Sequence, residues 1–172
     1  IKDLLDYAWS KPLYKKKQKT IKSIPKNSID SSSFFNGRFF NPNLTKYGQG
    51  WKWHVPDWKN IPGGFRNTFA GMKLLCSDQS NNEVTFEFEG RAIGAYVLAG
   101  PDAGVLEVSI DNEPFKSIDL YHNYSRGLHY PRTVMFATDL DQKIHLVRLR
   151  LAKPKDSNSK RQAARILQFT LN

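Results

Sequence analysis

A single cysteine, short apolar runs and a deficit of acidic residues set the first limits on this chain. Cys76, the only cysteine among 172 residues, excludes an internal disulfide framework. It reads as a small apolar residue, because a reactive thiol needs an electropositive niche. No window approaches the roughly 18 consecutive apolar residues of a membrane-spanning helix. No nucleophile elbow, phosphate-cradling glycine loop or metal-ligand spacing occurs anywhere along the sequence. The four histidines, His54, His122, His129 and His145, fit no familiar ligand pattern, so no metal and no cofactor is expected. Ile1 rather than Met opens the chain, with no signal-peptide core ahead of the fold, as expected of a processed product or a fragment.

What is present is ordinary for a globular domain. Hydrophobic residues make up 40% and aromatics 13%, too rich for a disordered chain. The net charge of +10 invites a nucleic-acid reading, so its distribution matters. Residues 1–30 hold eight lysines against three aspartates, and residues 153–165 hold five cations against Asp156. The body between them is nearly balanced. A nucleic-acid binder more often sets its charge on a folded face with aromatics interleaved. A solvated linker and a solvated loop are the favoured reading, and nucleic acid is not expected as a partner.

Along the chain, Ile1–Trp9 places apolar residues at 1, 4, 5, 8 and 9, a helical spacing. Residues 11–33 are rich in Lys and Ser, carry Pro12 and Pro25, and lack periodicity, which is linker composition. The compact domain is expected over 34–172. There, Val84, Phe86 and Phe88 alternate with Glu83, Thr85, Glu87 and Glu89, predicting a sheet with one wet face. Residues 92–99 are almost wholly apolar, predicting a central strand covered on both sides. Leu106, Val108 and Ile110 alternate before an Asp111-Asn112 turn. Val147, Leu149 and Leu151 read as opposed to His145, Arg148 and Arg150, and Ile166 as opposed to Leu167, Phe169 and Leu171. About nine short strands without intervening helices predict an all-β, two-sheet antiparallel sandwich of jelly-roll type. A terminal strand beside an early one would make 164–171 essential to stability.

Trp51, Trp53 and Trp58 are the candidate binding surface, since indole faces stack on the apolar faces of sugar rings. Trp51 and Trp53 share one face of a strand and read as core before binding, whereas Trp58 sits on a loop with Pro56, Pro62, Gly63 and Gly64, where exposure is easy. Arg66, Tyr47 and Asp57 are candidates for polar contacts to hydroxyls. The turn Gly100-Pro101-Asp102-Ala103-Gly104 reads as a hairpin connection or as a loop that lets a ligand approach the backbone. Asp119-Leu120-Tyr121-His122 lies mid-domain with no nucleophile to activate, so no catalytic pair is read there. His145 is expected to brace a turn. Asn43-Leu44-Thr45 and Asn123-Tyr124-Ser125 have the form of glycosylation sequons.

The pattern Phe86-x-Phe88-x-Gly90-x-Ala92-Ile93-Gly94, the 99–104 turn, Ser109-Ile110-Asp111, Asp119-Leu120-Tyr121, Leu128-His129-Tyr130-Pro131 and Ala164-Arg165-Ile166-x-x-Phe169 resembles a β-sandwich module. That module is found beside SGNH/GDSL-type hydrolases, and the resemblance covers about 34–172. It implies a non-catalytic accessory module of an extracellular or periplasmic esterase or lipase. The partners would be the catalytic domain of the parent chain and a polysaccharide, and Ile1–Trp9 would be the esterase's last helix. That family's Gly-Asp-Ser motif is absent here. The resemblance casts Asp102, Asp119, Ser125 and His129 as loop residues facing the adjoining domain. The runner-up is a module lending residues to an active site completed elsewhere. A third reading is a free-standing adhesion or polyanion-binding module using the Lys-rich segment.

Overall fold

The structure, a computed structural model, describes residues 1–10, 23, 25–30, 33–154, 156 and 159–172. Most of the Lys/Ser-rich stretch read as a linker lies outside the described residues. Two compact units are present, Ile1–Ser33 and Phe34–Asn172. In the first, a helix α1 (Lys2–Ser10) leaves every residue exposed, including Leu4, Tyr7 and Trp9. A Lys2–Asp6 ion pair at i, i+4 spacing links successive turns of the helix.

The second unit is an all-β antiparallel sandwich. Its strands are β1 (Arg38–Phe40), β2 (Lys46–Tyr47), β3 (Lys52–His54), β4 (Leu74–Ser77), β5 (Glu83–Gly90) and β6 (Ile93–Ala99), then β7 (Val105–Ile110), β8 (Lys116–Asp119), β9 (Tyr130–Ala137), β10 (Lys143–Leu151) and β11 (Ala164–Leu171). One sheet runs β3-β4-β11-β6-β9 with β1 also paired to β11, and the other runs β2-β5-β10-β7-β8. Neighbours far apart in sequence, such as β5 beside β10 and β6 beside β11, give the jelly-roll character.

Alternation builds the core. Val84, Phe86 and Phe88 of β5 meet Val147 and Leu149 of β10 and Leu106 and Val108 of β7 from one sheet. Ile93, Ala95, Val97 and Ala99 of β6, with Ile166, Phe169 and Leu171 of β11, come from the other. At roughly 1.5–3 kcal/mol for each large side chain buried, this layer is the main favourable term of the fold. Phe169 is the largest of the fully buried side chains and tilts against Phe86 across the sandwich, ring centroids 4.4 Å apart.

The structure differs from the sequence reading in three places. The described residues hold eleven strands rather than about nine, because β1 and β2 are only three and two residues long and carry no period of their own. Ile166 does not oppose Phe169 and Leu171: a register shift between Ile166 and Gln168 inserts one residue and returns all three to the core. His145 does not oppose Val147 but shares its buried face. Its ring reaches the Asp111 carboxylate (Nδ1 to Oδ2, 2.7 Å) and the Asp141 carbonyl (Nε2 to O, 2.8 Å). A histidine tolerates an inward position when both ring nitrogens find acceptors. The turn that it braces has φ of 53° at Asp111 and 64° at Asn112, the paired left-handed residues of a type I′ turn.

β11 is the centre of its sheet. β4 pairs with residues 164–166 and β1 with 169–171, while β6 runs along 166–171. On the outer face Leu74, Leu98 and Phe69 form a second small core, joined by Trp58, Cys76 and Leu167. The loop from Pro56 to Met72 thus covers the outside of β6 and β4, which is why β6 is apolar on both faces.

Candidate functional site

Three loops meet at one end of the sandwich: 56–66, the 100–104 turn and 119–130. Gly64 and Leu128 form an isolated bridge, with Gly64 N–H donating to Gly127 O at 2.8 Å and His129 N–H to Gly64 O at 2.8 Å. Gly63 has φ of 96° and lies so close to Pro101 that a Cβ would come within 2.7 Å of the ring Cδ. A Cβ on Gly100 would overlap the His129 ring. Both glycines therefore serve loop-on-loop packing. Ala103 and Ala163 form another bridge, and Leu120 N–H donates to Gly104 O at 3.0 Å.

Of the residues singled out in the sequence, this end gathers Trp58, Asp102, Asp119, Ser125 and His129, with Arg66 exposed beside Phe65. Trp58 stacks on Phe65 (4.6 Å between centroids) and meets the edge of His129 (5.0 Å). His129 is 0% exposed, and its Nε2 lies 3.1 Å from the Pro62 carbonyl, so that nitrogen donates. Its Nδ1 and the Trp58 indole nitrogen are buried without a partner. Burial first, then the nearby Arg165 guanidinium, hold His129 below the ordinary imidazole value. Asp102 grips Arg165 end-on, with bonds of 2.8 and 2.6 Å and side-chain exposures of 13% and 7%.

Asp119 Oδ1 accepts from Tyr121 N–H (2.9 Å) and pairs with Arg161, whose guanidinium also lies over the Tyr121 ring. His122 Nδ1 accepts from Tyr124 N–H at 3.3 Å, and the buried Ser125 Oγ accepts from His122 N–H at 3.2 Å. The Asp119-x-x-His122 string is thus engaged in shaping its own loop. Cys76 is pushed up to about 12, chiefly by burial, so the thiol stays protonated at physiological pH. Among the described residues no three His, Cys, Asp or Glu side chains are grouped to hold a metal ion.

The other candidates lie elsewhere. Trp51 is 2% exposed in the core, and its indole N–H donates to Asn82 O at 2.8 Å. Trp53 is half-buried on β3 against the same core. Tyr47 is half-buried on β2, and Asp57 accepts from the Asn60 amide at 2.7 Å.

Two features carry little signal in the sequence. His122, Tyr124 and Tyr130 form an aromatic cluster at the loop end, with centroids 5.1, 5.2 and 5.6 Å apart. The available signal was the density of aromatics in Tyr121-His122-Asn123-Tyr124 inside an otherwise polar loop. The second feature is an apolar hollow of about 470 Å³ on the outer face of β1, β11 and β9, lined by Phe34, Phe39, Thr133, Met135 and Thr170. Phe39 and Met135 are exposed there.

No protein-family profile and no curated protein sequence matches the chain. Solved structures do. A two-domain esterase (CEX) active on acetylated mannans, co-crystallised with mannopentaose, matches 99% of this chain and 43% of its own length at 12% identity, with a TM-score of 0.65. Another structure of a two-domain esterase (CEX) active on acetylated mannans matches 88% and 40%, at 15% identity and a TM-score of 0.57. An exo-β-1,3-galactanase from Phanerochaete chrysosporium with galactose matches 78% and 29%, at 16% identity and a TM-score of 0.50. The chain spans less than half the length of these proteins, and the likeness is one of fold. It shows a two-sheet, jelly-roll-like sandwich.

Proposed function

We propose that residues 34–172 form a non-catalytic, glycan-associated accessory module of a multi-domain carbohydrate esterase, of the SGNH/GDSL type that the sequence motifs resemble. The observation that carries this reading is the fold likeness to a two-domain esterase active on acetylated mannans, of which this chain would be the smaller part. The interlocked loops support it as well. Trp58, Asp102, Asp119, Ser125 and His129 sit at one end of the sandwich, where strand-end loops can meet a glycan or a neighbouring domain without disturbing the core. α1 is the last helix of the catalytic domain in this reading, and its exposed apolar stripe suits a surface that packs against that domain. The apolar hollow around Phe39 and Met135 provides a buttress for the same partner.

The test is native affinity electrophoresis of the whole chain in gels containing β-1,4-mannan, β-1,4-glucan or β-1,3-galactan. Retardation relative to a non-binding protein of similar charge, in at least one gel, is expected. Unchanged mobility in all three removes glycan association.

A further inference from the structure

We propose that His122, Tyr124 and Tyr130 form a stacking platform for the pyranose rings of a neutral, β-linked polysaccharide. The inference rests on the glycan-association reading above and gives it a location. The rings come from two elements: His122 and Tyr124 from the 3-10 turn at Asn123–Arg126, and Tyr130 from the first position of β9, an edge strand. The His122 and Tyr130 planes lie 16° apart, and Tyr124 tilts 38° to each. Tyr124 is 66% exposed, which leaves most of its ring uncovered.

Such a stack is held before any ligand arrives. The reciprocal bonds of His122 Nδ1 with Tyr124 N–H and of Ser125 Oγ with His122 N–H fix the turn. Tyr130 is registered opposite Ala99 on β6, and the adjoining His129 is locked under Gly100. Rigid aromatics lose little conformational entropy on binding. Their π faces suit the apolar C–H faces of sugar rings, while the phenol hydroxyls and His122 Nε2 offer donors at the perimeter. Equatorial β-1,4 linkages keep successive rings flat and so present the longest continuous face to an open platform. Tyr124 is the exposed ring of the cluster, and the half-buried His122 and Tyr130 pack against it.

The experiment compares the full chain with Tyr124→Ala, Tyr124→Phe and Phe39→Ala by affinity electrophoresis over a concentration series of soluble β-1,4-glucomannan. Tyr124→Ala is expected to weaken binding on the order of tenfold, the equivalent of one aromatic contact. Tyr124→Phe keeps the ring and is expected to stay within about threefold. Phe39→Ala, in the apolar hollow, is expected to leave retardation unchanged. Tyr124 is exposed, so the fold survives its replacement, which circular dichroism checks. Retardation of the parent chain with Tyr124→Ala equally retarded overturns the platform and spares glycan association. A parent chain that glucomannan does not retard overturns the platform as well, and mannan, glucan and galactan gels then decide the broader reading.

Discussion

Arg165 and Arg150 each hold a carboxylate, on opposite sheets of the same sandwich, and the two pairs do different work. Arg165 and Asp102 lie under the loop cover of the β11 sheet, 7% and 13% exposed, and join the last strand to the 100–104 turn. Arg150 and Glu107 lie on the open face of the β10 sheet at 30% and 27% exposure, in a row with the Arg148–Glu83 pair and above the Phe115 ring. Desolvation separates them. A buried charge that loses its partner has no water to turn to, whereas an exposed one is rehydrated. The same contrast holds for whole faces. The outer face of the β10 sheet satisfies itself with ion pairs and meets solvent. That of the β11 sheet carries the second core and the apolar hollow, and leads into the loops.

The sharpest way to break this comparison is Asp102→Ala. Stranding Arg165 in its covered site is expected to cost about 3–5 kcal/mol, read as a lower urea midpoint. A small loss would mean that water reaches Arg165 freely. Glu107→Ala, the same deletion on the open face, is expected to cost less than about 1 kcal/mol, and raised salt should shrink the effect further. Equal losses at the two sites would erase the distinction between the faces.

The smallest effect concerns pH. The hydrogen bond from His145, then that from Leu146 N–H, hold Asp111 below its ordinary value of 3.8. A carboxylate depressed in the folded state contributes stability above its unfolded value, and loses it as pH falls through the folded one. Asp111→Asn keeps the left-handed turn, because asparagine tolerates that conformation. Its urea midpoint should therefore fall less steeply than that of the parent chain below about pH 4. Parallel acid limbs would show that the Asp111–His145 contact adds nothing.

Period-two alternation made β5, β7 and most of β10 legible, because one face of each strand is wet. It failed at β11, where an inserted residue shifts the phase and nothing in Ile166-Leu167-Gln168 marks it. It failed at His145 because a polar side chain was read as outward, while its two acceptors lie 34 positions upstream and 4 upstream in the chain. The meeting of Asp102 with Arg165, 63 residues apart, belongs to tertiary structure alone. Of the loop cluster, the turn and Trp58's loop could be seen as punctuation, but not their contact. His122, Tyr124 and Tyr130 follow no period, since a 3-10 turn and a chain reversal separate them.

β11 also governs when the domain can form. Among the described residues β1 has no other strand neighbour, β4 otherwise pairs only with β3, and β6 only with β9. During synthesis the earlier strands of that sheet therefore leave the ribosome before their common partner, so the hydrogen-bonding edges that β11 fills have no partner until residues 164–171 follow. The second sheet has all five of its strands by residue 151 and can pair earlier, as a template onto which the first one closes.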